Sequence, residues 1–318
     1  MKPKHDKTPM RTTLQPILDV LDEGLRLYRR GFVPFVLVTA IGVAPLAVIF
    51  GLFIYVITSD SVVAALVMLG LALLSLPIGM YVVGAMSRIT LALEAGTQPN
   101  LREALRMPPL RVAGMGCYGS IFLTVVNALV SILSFACACP LYIVMVMVTF
   151  VPFSLSGTNE LGEALFGVLM SIIGIGTMLI YGGSFVVSGA TFCSLIFSLQ
   201  PFSQEQLPFG ASIQRSLDLT TYRLGQNILA WLCASLVFGA IAIAVTVAIG
   251  ALLPLPLLLA LGEDSLVTQG VSAAAWLIGL TLALPPLPIW MALLYQRRVA
   301  MRDGADLGAR IAQLEQDA

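Results

Sequence analysis

Charge is what this 318-residue chain has least of. Only 11% of it is Asp, Glu, Lys or Arg, while 58% is hydrophobic; a soluble domain carries about 25% charged residues. So few charges cannot cover a surface exposed to water, whereas a surface exposed to lipid needs none. Histidine is almost missing, with His5 alone in a polar N-terminal stretch. One imidazole outside the apolar runs leaves metal centres and acid–base constellations at membrane depth without their usual groups. The five cysteines all fall in apolar stretches and read as small buried hydrophobes. Cys137 and Cys139 form a C-x-C pair, but no second pair or His completes a tetrahedral zinc site. A phosphate-binding P-loop and a dinucleotide fingerprint are also missing. The residues therefore nominate no catalytic side chain, no metal ligand and no cofactor.

What the chain does have is long apolar runs. Stretches of 18 or more uncharged apolar residues read as membrane-spanning helices, and a backbone in lipid must satisfy its own hydrogen bonds. Six spans are expected: Phe32 to Thr58, Ser61 to Met86, Val112 to about Ala136, Ala164 to Phe197, Gly225 to about Leu253, and Leu266 to Tyr295. The fold class is all-α, a polytopic transmembrane bundle with amphipathic helices at one face. A shorter re-entrant or interfacial piece is expected from Leu141 to Phe153. A competing reading splits the middle of the chain at Gly182 and Gly183 and gives eight spans. Pro285, Pro286 and Pro288 should kink the last span.

Residues 1–10 form a polar tail, 11–30 an amphipathic helix, 31–298 the bundle and 299–318 a terminal helix. In the first helix Leu14, Ile17, Leu18, Leu21, Leu25 and Tyr28 share one face, and Asp19, Asp22, Glu23, Arg26 and Arg29 the other. It could lie in the membrane interface or pack on the protein itself. A second amphipathic connection runs from Leu207 to Tyr222. Asn100 and Glu103 have capping-box spacing. The first apolar run is too long for a cleaved signal peptide and is expected to be kept.

All 17 Lys and Arg residues lie outside the apolar runs, and all can be put on one side of a membrane. The connections on the other side carry only Asp60, Glu160, Glu163, Glu263 and Asp264. Lys and Arg are retained in the cytoplasm, so both termini are expected there, in a cell inner membrane.

The interiors of the six runs contain no Asp, Glu, Lys, Arg or His. Intramembrane ionisable groups mark ion paths and proton relays. Their absence disfavours an ion-coupled transporter and leaves a serine nucleophile without a basic partner, so no enzyme is expected. Asn127 is the strongly polar side chain well inside a run, suited to an interhelical hydrogen bond or a solute path. Ser235 and Gly239, and Ala275, Gly279 and Ala283, are spaced four apart, which permits close helix approach or a homodimer seam. Tyr55, Tyr81, Tyr118, Trp231 and Tyr295 read as interfacial belts. Arg26, Arg29, Arg30, Arg102, Arg106, Arg215 and Arg223 are the candidate contacts for lipid headgroups or a partner, since each cation near an anionic surface is worth about 1 kcal/mol. Expected partners are membrane lipids and a membrane protein or second copy; net charge is zero and nothing suggests nucleic acid.

Three stretches in the same order, Ile17 to Val38 (ILDVLDEGLRLYRRGFVPFVLV), Ser212 to Leu232 (SIQRSLDLTTYRLGQNILAWL) and Leu293 to Ala312 (LLYQRRVAMRDGADLGARIA), resemble a bacterial family. It is the polytopic membrane domain found with glycerophosphoryl diester phosphodiesterases. The resemblance rests on Leu27, Tyr28 and Arg29; on Arg215, Ser216, Leu219, Thr220 and Arg223; and on Tyr295 with Arg298. Asp218 and Tyr222 depart from the family pattern. The resemblance implies a bacterial cytoplasmic-membrane protein whose membrane part has no established activity. The phosphodiesterase itself is a separate soluble barrel, for which this chain has no room. The expected function is a non-catalytic scaffold or accessory component linked to lipid or envelope processes; the alternative is a permease for a lipid-like or neutral solute.

Overall fold

The structure, a computed structural model, describes residues 9–59, 62–126, 128, 131–132, 139, 160–262 and 265–304. Every regular element among them is an α-helix. Among the described residues, six stretches are long and apolar enough to cross a membrane: Phe32–Leu52, Val62–Glu94, Pro109–Val126, Ile173–Ser203, Leu224–Leu261 and Val267–Asp303. The all-α polytopic bundle expected from hydropathy is therefore present, with six helices among the described residues that could span a membrane. The suggested re-entrant piece at Leu141 to Phe153 and the terminal helix beyond Ala305 lie outside the described residues.

In chain order the helices are α1 (Pro9–Arg30), α2 (Phe32–Ser59), α3 (Val62–Glu94), α4 (Leu101–Ala104), α5 (Pro109–Val126), α6 (Glu160–Ser198), α7 (Gln200–Ser203), α8 (Phe209–Tyr222), α9 (Leu224–Leu252), α10 (Leu255–Leu261), α11 (Leu266–Ala283) and α12 (Pro286–Asp303). Helix α6 passes unbroken through Gly182 and Gly183, so the turn required by eight spans does not form there. Two helices outrun their apolar stretches. The third element continues past Met86 to Glu94 and carries Arg88, and α12 continues past Tyr295 to Asp303.

Helices α3, α2, α11, α9 and α6 pack side by side in that order. Helix α12 touches α1, α3, α6, α8 and α9, so it closes this row into a bundle at one end. That geometry follows from the proline cluster. Pro286 has no N–H to give the carbonyl four residues back, so the hydrogen-bond ladder is interrupted and the helix kinks between α11 and α12, while Leu284 and Pro285 keep helical dihedrals. The orphaned carbonyl of Leu282 instead accepts from the Tyr28 hydroxyl at 2.9 Å. The kink redirects the chain, and residues 289–295 of α12 become buried on every side.

Small residues set the helix contacts. A Cβ on Gly189 of α6 would collide with the Ser235 hydroxyl of α9, which donates to the Val186 carbonyl at 2.9 Å. A Cβ on Gly279 of α11 would lie 2.8 Å from the Thr246 Cα of α9, and one on Gly116 of α5 would lie 2.9 Å from the Pro77 Cβ of α3. Ser235, Ala275, Gly279 and Ala283 are thus buried in helix contacts within the chain.

Helix α1 packs along α12. Val20, Gly24 and Leu27 are buried while Asp19, Asp22, Arg26 and Arg29 are exposed, as its amphipathic spacing requires.

Candidate functional site

The connections and helix ends that carry Arg gather at one end of the bundle, here called the basic end. Three groups of contacts build it. The first surrounds Arg88. Short helices leave carbonyls without intrahelical donors, and Arg88 collects those near α4 and α7. Its Nε donates to the Ser203 carbonyl at 3.4 Å, and Nη1 to those of Arg106 at 3.1 Å and Glu103 at 3.5 Å. The Tyr81 hydroxyl donates to the Leu105 carbonyl. Asn100 caps α4, its side chain accepting from the Arg102 N–H at 3.1 Å. Gln206 adopts a φ of +55°, a left-handed conformation uncommon outside glycine. Arg111 holds it there, with Nη2 on its carbonyl at 3.0 Å and Nη1 on its Oε1 at 3.2 Å. A polar cleft of about 490 Å³ opens between these segments, lined by Arg88, Thr97, Gln98, Asn100, Glu103 and Gln204 among others.

The second group joins α8 to α12 through Glu205. The Tyr295 hydroxyl donates to Glu205 Oε1 at 2.5 Å, and Arg215 lies 3.6 Å from the same carboxylate and 2.6 Å from that of Asp303. Those bonds, the one to Asp303 foremost, hold the Arg215 guanidinium well above its ordinary pKa, so it stays charged throughout any working pH range. Tyr295 is 1% exposed. Its expected place in an interfacial belt is corrected: the ring packs edge-on against Phe197 in the core. Trp231 is also buried, edge-on to Phe197 from the other side chain neighbour α9.

The third group surrounds Tyr222. Arg302 pairs with Asp218 at 2.8 Å and lies 4.9 Å above the Tyr222 ring. Arg223 lies 5.6 Å from the same ring. Asp218 and Tyr222, the two positions that depart from the resembled pattern, are therefore both partners of Arg302. Arg298 is 5% exposed and donates through Nη1 to Gln226 Oε1 at 3.0 Å, an atom that Arg223 also approaches at 3.3 Å. Among the described residues, the buried Arg298 Nε–H meets no acceptor. Asn227 donates to the Leu219 and Thr220 carbonyls, both at 3.1 Å, and so ties the end of α8 to the first turn of α9.

Helix α1 is fastened to the same end. Glu23 pairs with Arg297 of α12 and lies 3.8 Å from Arg26, and the Gln296 carboxamide meets the Glu94 carboxylate.

No protein family, curated protein or solved structure matches this chain.

The structure divides the candidate arginines. Arg215 and Arg223 enter the contact groups above. Arg26 is paired but its side chain is 78% exposed. Arg29, Arg30, Arg102 and Arg106 have exposed side chains on the rim. Asn127 lies outside the described residues. Reading the sequence left Arg88, Arg298 and Arg302 out of the candidate contacts: Arg88 was placed in a connection, Arg302 in the terminal helix, and Arg298 was named only for the resemblance. A signal existed for Arg298. It stands three, four and seven residues beyond Tyr295, Leu294 and Met291, which puts it on their buried helical face. Among the described residues, no group of three His, Cys, Asp or Glu side chains could hold a metal ion.

Proposed function

We propose that this protein is a non-catalytic scaffold or accessory component of a bacterial cytoplasmic membrane, with its basic end and both termini in the cytoplasm, acting on lipids or a partner protein through that end. The resemblance to the membrane domain associated with glycerophosphoryl diester phosphodiesterases belongs to the same proposal. The observation that carries it is the construction of the basic end: Glu23–Arg297, Tyr295–Glu205–Arg215–Asp303 and Asp218–Arg302 bind α1, α8 and α12 into one rigid collar. Arg29, Arg30, Arg102 and Arg106 remain exposed around it. Preorganised charge on helices suits recognition better than charge on loops, and the positive-inside rule supplies the orientation.

Reporter fusions at residues 100 and 210 test the orientation; both should report cytoplasm, and a periplasmic signal at either would overturn it. Photocrosslinkers at Arg29 and Arg102, in native membranes, test the role. Capture of one stoichiometric protein or of anionic lipid is expected. Solute flux by the purified chain in vesicles, without any partner, would replace this reading with that of a permease.

A further inference from the structure

We propose that the polar cleft beside Arg88 binds a small zwitterion of the amino-acid class, its carboxylate toward Arg88 and its ammonium toward Glu103. The cleft, of about 490 Å³, lies between the last turns of α3, the connection through Thr97 and Asn100, α4 and the end of α7. Small-molecule sites commonly measure about 300–1,000 Å³. Arg88 and Glu103 are its charged lining residues, one of each sign. Neither has an oppositely charged side-chain group within 4.0 Å among the described residues.

Opposite charges facing one cavity attract, so the fold must hold these two apart. Arg88 is fixed by neutral acceptors: Nε and Nη1 are spent on the Ser203, Arg106 and Glu103 carbonyls. Its Nη2 meets no acceptor among the described residues. Glu103 stands where a capping box would have its carboxylate accept from the Asn100 N–H. Among the described residues that bond does not form, and α4 is capped by the Asn100 side chain on the Arg102 N–H. The Glu103 side chain is therefore left uncommitted and exposed on the cleft wall.

The walls are fixed in advance. Gln206, with its φ of +55°, is the non-glycine residue of positive φ among the described residues. Such conformations cost energy, persist only where their surroundings hold them, and gather at ligand clamps. Arg111 does the holding, through both the carbonyl and the carboxamide of Gln206. Gln204 is anchored through Nε2 on Gln200 Oε1 at 2.8 Å, and its own Oε1 meets no donor among the described residues. The Thr97 hydroxyl is tied to the Ala92 carbonyl at 2.8 Å. Polar groups placed in this way lose little freedom when a ligand arrives.

Charge balance selects the ligand. A phosphate dianion would face Glu103 as well as Arg88, and Arg88 has one nitrogen left in place of the fork that phosphate takes. A plain amine would face Arg88. A carboxylate and an ammonium in one molecule satisfy both residues, and the Gln98 and Gln204 carboxamides add neutral donors and acceptors around them. Such binding requires neither a partner protein nor a particular orientation in the membrane.

The full chain in detergent is screened against the common free amino acids by thermal unfolding, and the most stabilising one is titrated by calorimetry. Saturable binding is expected. Its α-carboxamide and N-acetyl derivatives, each lacking one charge, should bind about tenfold more weakly or worse, because hydrogen bonds to charged groups contribute that much. Glu103→Gln, at an exposed position, should weaken the free amino acid by a similar factor and leave the N-acetyl derivative unchanged. Arg88→Lys should weaken binding too; if it fails to fold, Glu103→Gln and the derivatives still decide. Arg106→Gln removes an exposed arginine that does not line the cleft, and should leave affinity unchanged. Three outcomes overturn the assignment: no amino acid binds saturably, both derivatives bind as tightly as the free amino acid, or Glu103→Gln weakens binding no more than Arg106→Gln. Competition by acetate or inorganic phosphate as strong as that of the amino acid also overturns it, in favour of a plain anion site. These measurements involve no membrane side and no partner, so they stand whatever the orientation and crosslinking tests return.

Discussion

The two halves of the bundle are built on different principles. At the basic end, Phe35, Ile89, Phe197, Trp290 and Tyr295 are fully buried against one another, and charged groups outside them are paired across helices. At the far end, the same kinds of side chain face outward: Val62 is 72% exposed, Leu73 71% and Leu259 77%. In water such a surface would aggregate; in a bilayer it is solvated by acyl chains. The contrast arises from α12. Where α12 fills the centre, the helices form a core like that of a soluble protein. Where only α11 continues, they form a row with lipid on its faces. The lesson is that this protein's specific structure is concentrated at the end where its arginines are.

Substitutions in the two halves should therefore differ, and reversible denaturation in mixed micelles can measure it. Trp290→Ala should have the largest effect. Trp290 is fully buried and packs on Phe238 with ring centroids 6.0 Å apart, so a loss of about 3–5 kcal/mol is expected; a loss below that of Leu73→Ala would refute the two-half description. Gly189→Leu should follow, costing about 1–3 kcal/mol by overpacking the α6–α9 crossing. Reduced yield of folded protein would accompany it, and Ser235→Ala in the same chain should recover only part.

Tyr28→Phe tests the proline kink more finely. It leaves the Leu282 carbonyl without its hydroxyl donor, which should cost about 1–3 kcal/mol and detach α1. Hydrogen exchange along residues 19–30 would rise if so, and unchanged protection would show that the hydroxyl does not hold α1. Arg302→Gln removes a half-exposed ion pair with Asp218 and should cost about 0–1 kcal/mol, less in high salt. Leu73→Ala, in the far half, should change stability by about 0.5 kcal/mol or less, because lipid replaces the contacts that are lost.

Much of the architecture was legible in the residues. The apolar runs located six spans, the spacing of Leu21, Leu25 and Tyr28 located α1, and Asn100 marked the start of α4 through its own short-range hydrogen bond. Pro285 and Pro286 announced a kink, and the structure shows one: the hydrogen-bond ladder is interrupted there while Leu284 and Pro285 keep helical dihedrals, and the freed Leu282 carbonyl is taken by Tyr28. Hydropathy was least informative where it ended. It stopped the third element at Met86 and the last at Tyr295, because Arg88 and Arg298 count as polar whatever surrounds them. In the folded chain both lie on continuous helices and donate to distant partners, Arg88 to the Ser203 carbonyl and Arg298 to Gln226.

By itself, then, the amino-acid order determined the class, the apolar stretches found among the described residues and the separation of charge along the chain, since these depend on composition summed over about 20 neighbouring residues. Only the tertiary structure decided which arginines are rim, rivet or unsatisfied. Tyr28 finds Leu282, Glu23 finds Arg297 and Arg298 finds Gln226, partners 254, 274 and 72 residues apart. No local pattern encodes such pairings, because the charge state and burial of each group depend on what the fold places opposite it.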